Sequence, residues 1–419
     1  MNKAISLFSS SGIGELGIKR HNIEIIVANE LHKDRCALYA SNYPETEMIQ
    51  GDIWEKKDEI ISATRQKLNK SNDELFLVYA TPPCQGMSTN GAGKLKSEIE
   101  AGRRPKVDER NLLIIPAMEI IHEFKPKWIV FENVPGMKET VIPTPLGAMN
   151  IIEYISSTLG EEYEFSSEVI SCSDYGVPQL RKRLITVFTR CKKGKDYLRI
   201  NNSSFFSDIE NEPSMTIDEA LQGIPELDAR DGKNERRDFH PYHFVNVMKD
   251  EKYWWIKNTP QGETAFNNQC VNVECGFQSN PRHFEHLDNG KWVSAKSIPI
   301  HCVKCGSVLP RPSVIDKDTG ERRMIKGFHS AYRRMDPNKP STTITINYPY
   351  EASDNKVHPF QNRVLSTYEV MKIQTITDYN YSWSTGKKLA SRALIARSIG
   401  ESVPPKLLDK ITAKICELS

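Results

Sequence analysis

The side chains best able to do chemistry stand in three places. Cys84 follows two prolines in YATPPCQGMS, directly after the apolar run LFLVYA. A thiolate is strongly nucleophilic near neutral pH and can leave again, so a thiol on a chain stiffened by Pro82 and Pro83 reads as a nucleophile held at a fixed angle over a pocket. A buried, inert cysteine at a strand end is the other reading. Glu132 closes the apolar run KWIVFEN, a setting that favours a carboxyl able to hand over a proton. Cys270, Cys275, Cys302 and Cys305 form two pairs with four and two intervening residues, each pair ending in Cys-Gly. Two tight turns that each present two thiolates are the pattern of a closed, tetrahedral zinc site. Reduced core cysteines, or a mixed site using His283, His286 or His301, compete with it. Cys36, Cys172, Cys191 and Cys416 lack such pairing and read as bystanders.

These residues need a frame. KAISLF, IEIIVAN, ELFLVYA, KWIVFEN and RLITVF read as strands; GELGIKRH, KDRCALYASNY, LLIIPAMEIIHEF and MNIIEYISSTL read as the helices between them. Strands alternating with helices predict an α/β fold, a doubly wound and mostly parallel sheet, whose ligand site lies beyond the carboxyl ends of the strands. There the chain carries SSSGIG, in which Gly12 and Gly14 allow a tight turn before a helix N-terminus. Glu30 ends the second strand, where a carboxylate can accept both hydroxyls of a ribose, and Asp52 falls near the end of a third. The pattern points to an adenosine-containing cofactor; helix capping is the plainer use of each acid.

Composition sets outer bounds. The 419 residues, with 26% charged and 38% hydrophobic, are an ordinary globular mixture large enough for two domains. No apolar run approaches the roughly 20 residues of a membrane span, and the N-terminus lacks a signal-peptide core. The nine cysteines are therefore expected as thiols or ligands in a cytoplasmic protein. A net charge of +2 leaves a nucleic-acid partner to local patches. One candidate runs through Arg311, Lys317, Arg322, Arg323, Lys326, Arg333, Arg334 and Lys339, with a solvated face as the alternative.

In order along the chain, LFSSSGIGELG, TPPCQG, FENVPG, PQLRKR and IGESVPPKLL resemble the motifs of the DNA (cytosine-5) methyltransferase family. HPFQNRVLSTYEVMKIQTI is similar to the family's return segment, so the likeness covers residues 1 to about 190 and 327 to 419. It implies a Rossmann-like domain that binds S-adenosylmethionine (1–190 plus 355–419) and a target-recognition domain (191–354), within which the four cysteines, and not the resemblance, point to a zinc-ribbon-like element at 270–305. It also implies cofactor contacts from Phe8, Gly12, Glu30, Asp52, Ile53 and Ser402, and a catalytic set of Cys84, Glu132, Gln179, Arg181 and Arg183. Two positions depart from the family pattern: Ser10 replaces a glycine, and Glu401 stands where asparagine is common.

The chemistry explains these residue types. Cytosine C5 is a poor nucleophile until something adds at C6. The implied sequence is attack by Cys84 at C6, proton donation to N3 by Glu132, methyl transfer to C5, then loss of the C5 proton and the sulfur. A stacked base cannot be reached from both faces, so the target must be flipped out. The polar segment after Cys84, with Gly86, Gly91, Gly93 and Gly102 as hinges and Arg103, Arg104 and Lys106 near phosphates, suits closure over it. Arg181 and Arg183 alternate on one strand face, and the resemblance gives them the nucleotide and Glu132 to hold. The expected partner is double-stranded DNA, with the chain a monomer near the nucleoid and a cognate restriction endonuclease sharing the site without contact. A tRNA methyltransferase and a silent DNA-binding regulator are the alternatives.

Overall fold

The computed structural model describes residues 1–71, 73–83, 108–144, 147–288, 291–294, 298–325, 329–353, 355–386 and 388–419. Cys84, the glycines and cations of the segment through residue 107, and Lys326 lie outside the described residues.

Five strands pair in parallel: β1 (Asn2–Leu7), β2 (Ile23–Glu30), β3 (Glu47–Gln50), β4 (Leu75–Ala80) and β5 (Trp128–Asn133). Two more, β6 (Glu164–Ser171) and β7 (Lys182–Thr189), join antiparallel, giving a seven-stranded sheet in the order β3-β2-β1-β4-β5-β7-β6. Every residue of LFLVYA and WIVFEN is buried, as expected for central strands covered on both faces. β6 escaped sequence reading because its alternation, EFSSEVIS, is half polar at a sheet edge. The strand order turns back between β1 and β4, so the loops after these two strands flank the crevice where α/β sheets bind ligands.

One sheet face packs on α3 (Ile53–Ser71), α4 (Ile114–Phe124) and α5 (Ile151–Leu159) through Ile60, Leu68, Ala117, Ile121 and Ile155. The other packs on α1 (Glu15–Lys19), α6 (Lys192–Ile200) and a C-terminal helix, Pro405–Glu417, through Ile18, Leu198, Leu407, Ile411 and Ile415. Each such leucine or isoleucine removed from water contributes about 1.5–3 kcal/mol. Leu198, Phe205 and Phe206 belong to this second core, so the chain stays on the large sheet past residue 190, where the sequence had placed the domain boundary. The apolar faces of α6 and the two phenylalanines need the sheet to bury them.

Beyond residue 210 a smaller core forms around Trp255, Ile256, Phe266, Tyr332 and Val357. Buried Arg334 ties it together. Its guanidinium donates to the carbonyls of Thr259, Ile256, His358 and Gln361 and to Asn362 Oδ1, at 2.7–3.0 Å. The chain then returns through α7 (Thr367–Ile373), started by a reciprocal capping box between Ser366 and Glu369, and α8 (Arg392–Glu401). No described helix is long and apolar enough to cross a membrane.

Candidate active site and metal centre

The loop after β1 is held by its neighbours. Ser9 N–H donates to Asn29 O at 3.0 Å, and the hydroxyls of Tyr43 and Tyr381 donate to Gly12 O (2.6 Å) and Ser11 O (2.7 Å). Gly12 has φ +80°, and a Cβ there would lie 2.5 Å from the Tyr43 ring, so the tyrosine demands this glycine. Ser10, where the family has a glycine, still takes the left-handed conformation at φ +49°. Its N–H donates to Glu30 Oε2 at 3.0 Å, which offsets part of that strain.

Glu30 is 6% exposed and takes one backbone N–H on each oxygen, from Ser10 and from His32 (2.9 Å). A carboxylate has further lone pairs for a diol. The Ser10 and Ser11 hydroxyls are buried with no hydrogen-bond partner among the described residues, which fits a polar ligand at this loop. Asp52 caps α3, accepting from Trp54 N–H at 2.9 Å. Phe8 packs half-buried against the sheet core, while Ile53 lies within that core at 2% exposure. Ser402 follows α8 and accepts from Gln374 Nε2 on its hydroxyl (3.0 Å) and carbonyl (2.9 Å).

Two contacts fix the chain that leads to Cys84. Thr81 Oγ1 donates to Phe8 O at 2.9 Å, and Asn133 Nδ2 donates to Pro82 O at 3.0 Å. Thr81 and Pro82 are thus pinned by the loop after β1 and by the end of β5. Glu132, beside Asn133, is 7% exposed and pairs with Arg183 Nε through Oε1 at 2.6 Å. The carboxylate thus sits in a buried apolar strand with a guanidinium from β7 against it.

Gln179 and Arg181 behave differently from Arg183. Gln179 is fully buried; it donates to Gln374 Oε1 at 2.7 Å and accepts from Ile344 N–H at 2.8 Å. Arg181, 1% exposed, donates to Ile344 O (3.0 Å) and Gly400 O (3.2 Å). Both side chains join the large sheet to the returning chain, because residues 179–180 pair in parallel with 341–342.

Sequence reasoning missed Glu15. It is buried beneath the β1 loop, and burial pushes its carboxyl up to about 7 despite a 2.6 Å hydrogen bond from Ser6 Oγ. An acid at the start of an apolar helix could have flagged it. It also missed Asn133, Gln374 and Arg363, whose guanidinium forks onto Glu369 with two 2.7 Å bonds. Several described cations of the run from Arg311 to Lys339 are already engaged within the protein. Arg311 and Arg334 are buried on carbonyls, whereas Arg322, Arg323 and Lys339 pair with Glu251, Asp316 and Asp336.

The four cysteines converge. Their sulfurs all lie within 4.8 Å of one another, with Cys270–Cys305 at 3.7 Å and Cys275–Cys302 at 3.9 Å. Tetrahedral thiolates 2.3 Å from a zinc ion would stand about 3.75 Å apart. Each turn closes in a left-handed glycine, Gly276 (φ +53°) and Gly306 (φ +74°), and Asn272 Nδ2 bridges the two turns to Ser307 Oγ at 3.0 Å. His283 instead packs its ring on Phe266.

Comparison with known proteins completes the picture. Residues 2–417 match the model of the C-5 cytosine-specific DNA methylases. The chain belongs to that family. It is a DNA (cytosine-5) methyltransferase, and S-adenosylmethionine is the methyl donor the family uses. Among its relatives is the Type II methyltransferase M1.HgaI of Avibacterium volantium, 29% identical over 98% of this chain and 97% of that one. Another is the Type II methyltransferase M.DdeI of Desulfomicrobium norvegicum, 24% identical over 98% and 88%. A prophage-encoded methyltransferase from E. coli shares the fold at TM-score 0.59, with 17% identity over 100% of this chain and 99% of that one.

Proposed function

We propose that the protein methylates C5 of one cytosine within a specific sequence of double-stranded DNA, as the modification partner of a restriction endonuclease. In this reading Cys84 attacks C6 of the flipped base and Glu132 donates to N3. Arg183 orients Glu132, while Asn133 and Thr81 aim the segment that carries the thiol. Gln179 and Arg181 act at one remove, by fixing the returning chain against the sheet. When bound, S-adenosylmethionine supplies an electrophilic methyl group. Glu30 would hold its ribose, the Ser10–Gly12 backbone and Ser402 would line its amino-acid end, and Asp52, Phe8 and the Ile53 backbone would frame the adenine. The observation that carries the reading is the Glu132–Arg183 pair beside Asn133, whose amide grips the chain two residues before Cys84.

The four cysteines bind one structural zinc ion in the recognition domain, which begins near residue 210. The sulfur spacing supports this: four thiolates close the coordination sphere and leave no place for an activated water. The enzyme works as a monomer in the cytoplasm, on chromosomal DNA, without contacting the endonuclease. Bisulfite sequencing after expression in a methylation-free host tests the whole reading. A single methylated motif, absent with Cys84→Ala, is the expected result; unmodified DNA alongside methylated tRNA would replace DNA by RNA as the substrate. A duplex bearing 5-fluorocytosine should trap the wild-type enzyme covalently, since fluorine at C5 cannot leave as a proton.

A further inference from the structure

Arg35 Nη2 lies 2.6 Å from Glu401 Oε2, and these side chains are 12% and 35% exposed. Arg35 is in α2 (Lys33–Asn42), five residues after Glu30; Glu401 ends α8 and immediately precedes Ser402. The pair therefore joins the two segments that carry the assigned cofactor contacts from opposite ends of the chain. Two neutral attachments accompany it. Asn42 and Ser382 exchange hydrogen bonds at 2.9 and 2.7 Å, and Tyr381 reaches the Ser11 carbonyl. Of these three links, only Arg35–Glu401 is charged, and only it adjoins both Glu30 and Ser402.

We propose that Arg35 and Glu401 are positioning residues that clasp the two walls of the cofactor site, so that the ion pair sets how tightly S-adenosylmethionine is held and how slowly it leaves. The proposal rests on the reading of Glu30 and Ser402 as cofactor contacts. It also gives the departure at Glu401 a purpose: a longer, charged side chain reaches a partner in α2 and attracts it through a partly desolvated contact, where an ion pair is stronger than in open water.

The test is equilibrium binding and stopped-flow release of S-adenosylmethionine, without DNA, in full-length protein. Arg35→Met and Glu401→Gln should each weaken binding about three- to tenfold, chiefly through faster release. The difference from wild type should shrink at high salt, and the reversed pair Arg35→Glu/Glu401→Arg should recover most of the affinity. Melting temperatures measured alongside separate this from a general loss of fold. Single variants that bind and release like wild type would overturn the clasp, as would losses that track melting temperature and ignore salt. If the reversed pair fails to fold, the salt dependence of the single variants decides. A wild-type protein that binds no S-adenosylmethionine would remove the cofactor reading and the clasp together, whereas normal binding by wild type with indifferent variants removes the clasp alone.

Discussion

The side-chain amide of Asn133 donates to the Pro82 carbonyl at 3.0 Å, two residues before Cys84. Pro82 has no N–H of its own, and proline restricts the backbone on both sides, so one hydrogen bond is enough to orient a short stiff segment. Asn133→Ala should lower kcat about tenfold or more, because a nucleophile displaced by even 1 Å loses much of its rate. Binding of S-adenosylmethionine should stay within about fivefold, since losing one neutral hydrogen bond outside that site costs about 1 kcal/mol at most there. Single-turnover kinetics with titrated cofactor checks both; unchanged turnover would free Cys84 from this constraint.

Glu132→Gln should slow methyl transfer by about 10²-fold while DNA binding persists, the usual contribution of a positioned proton donor. Arg183→Lys keeps the charge but loses the planar guanidinium that meets Oε1, and should show a smaller loss of kcat with little change in KM for DNA. Near-normal turnover by Glu132→Gln between pH 6 and 8 would reduce the carboxylate to a structural partner of Arg183.

Protein purified without chelator should contain one zinc per chain by elemental analysis. Changing Cys302 and Cys305 to Ser, or stripping the metal, should increase proteolysis and amide exchange within residues 270–305. Specific DNA binding should fall with it, while cofactor binding by the large domain survives. Absence of stoichiometric metal would sink the site; zinc with unchanged DNA affinity in the double variant would leave it a purely local staple.

Buried His358 has its protonated form disfavoured by burial first and by Arg363 next, down to about 3. Its Nδ1 accepts the N–H groups of Phe360 and Gln361, both at 3.1 Å, which leaves no room for a proton there. Below its unfolded value near 6.5 the unfolded chain takes up a proton that the folded chain refuses, so stability should fall as pH drops from 6.5 towards 3. The slope approaches about 1.4 kcal/mol per pH unit for this group. His358→Asn, which keeps an acceptor, should flatten the denaturation midpoint between pH 6 and 4.

Glu15 carries the opposite sign. With its folded value raised to about 7 from 4.5, the folded state holds a proton that the unfolded state has lost, and stability should decline as pH rises through that window. Glu15→Gln should therefore stabilise the protein above pH 7, by on the order of 3 kcal/mol, and give no gain below pH 4.5. A urea titration at pH 4.5 and 8 measures it.

The sheet and the order of its motifs were legible because apolar runs such as LFLVYA and WIVFEN are buried on both faces and end at chemically distinctive residues. The convergence of the four cysteines was legible because paired thiols in two tight turns announce themselves in local spacing. Charge was the poor guide. A run of arginines reads alike whether it faces phosphates or, as with Arg311 and Arg334, saturates carbonyls in a buried joint. Links such as Gln179 to Gln374 and Arg35 to Glu401 join residues hundreds of positions apart, and no local period announces them. Even within a matched motif, residue type did not separate Arg183, which reaches Glu132, from Arg181, which reaches Ile344 and Gly400.

The helix Pro405–Glu417 covers a sheet face formed by Ala4, Ile25 and Leu77. A ribosome adding about 5–20 residues per second delivers Ile411 some 20–80 s after Ala4. Until then the part of that face not covered by α1 and α6 stays open, a surface that chaperones would be expected to shield. The returning chain that brings Gln374 and Ser402 arrives just as late. A chain made only as far as α7 lacks Ser402 and so, on the reading proposed above, one wall of its methyl-donor site.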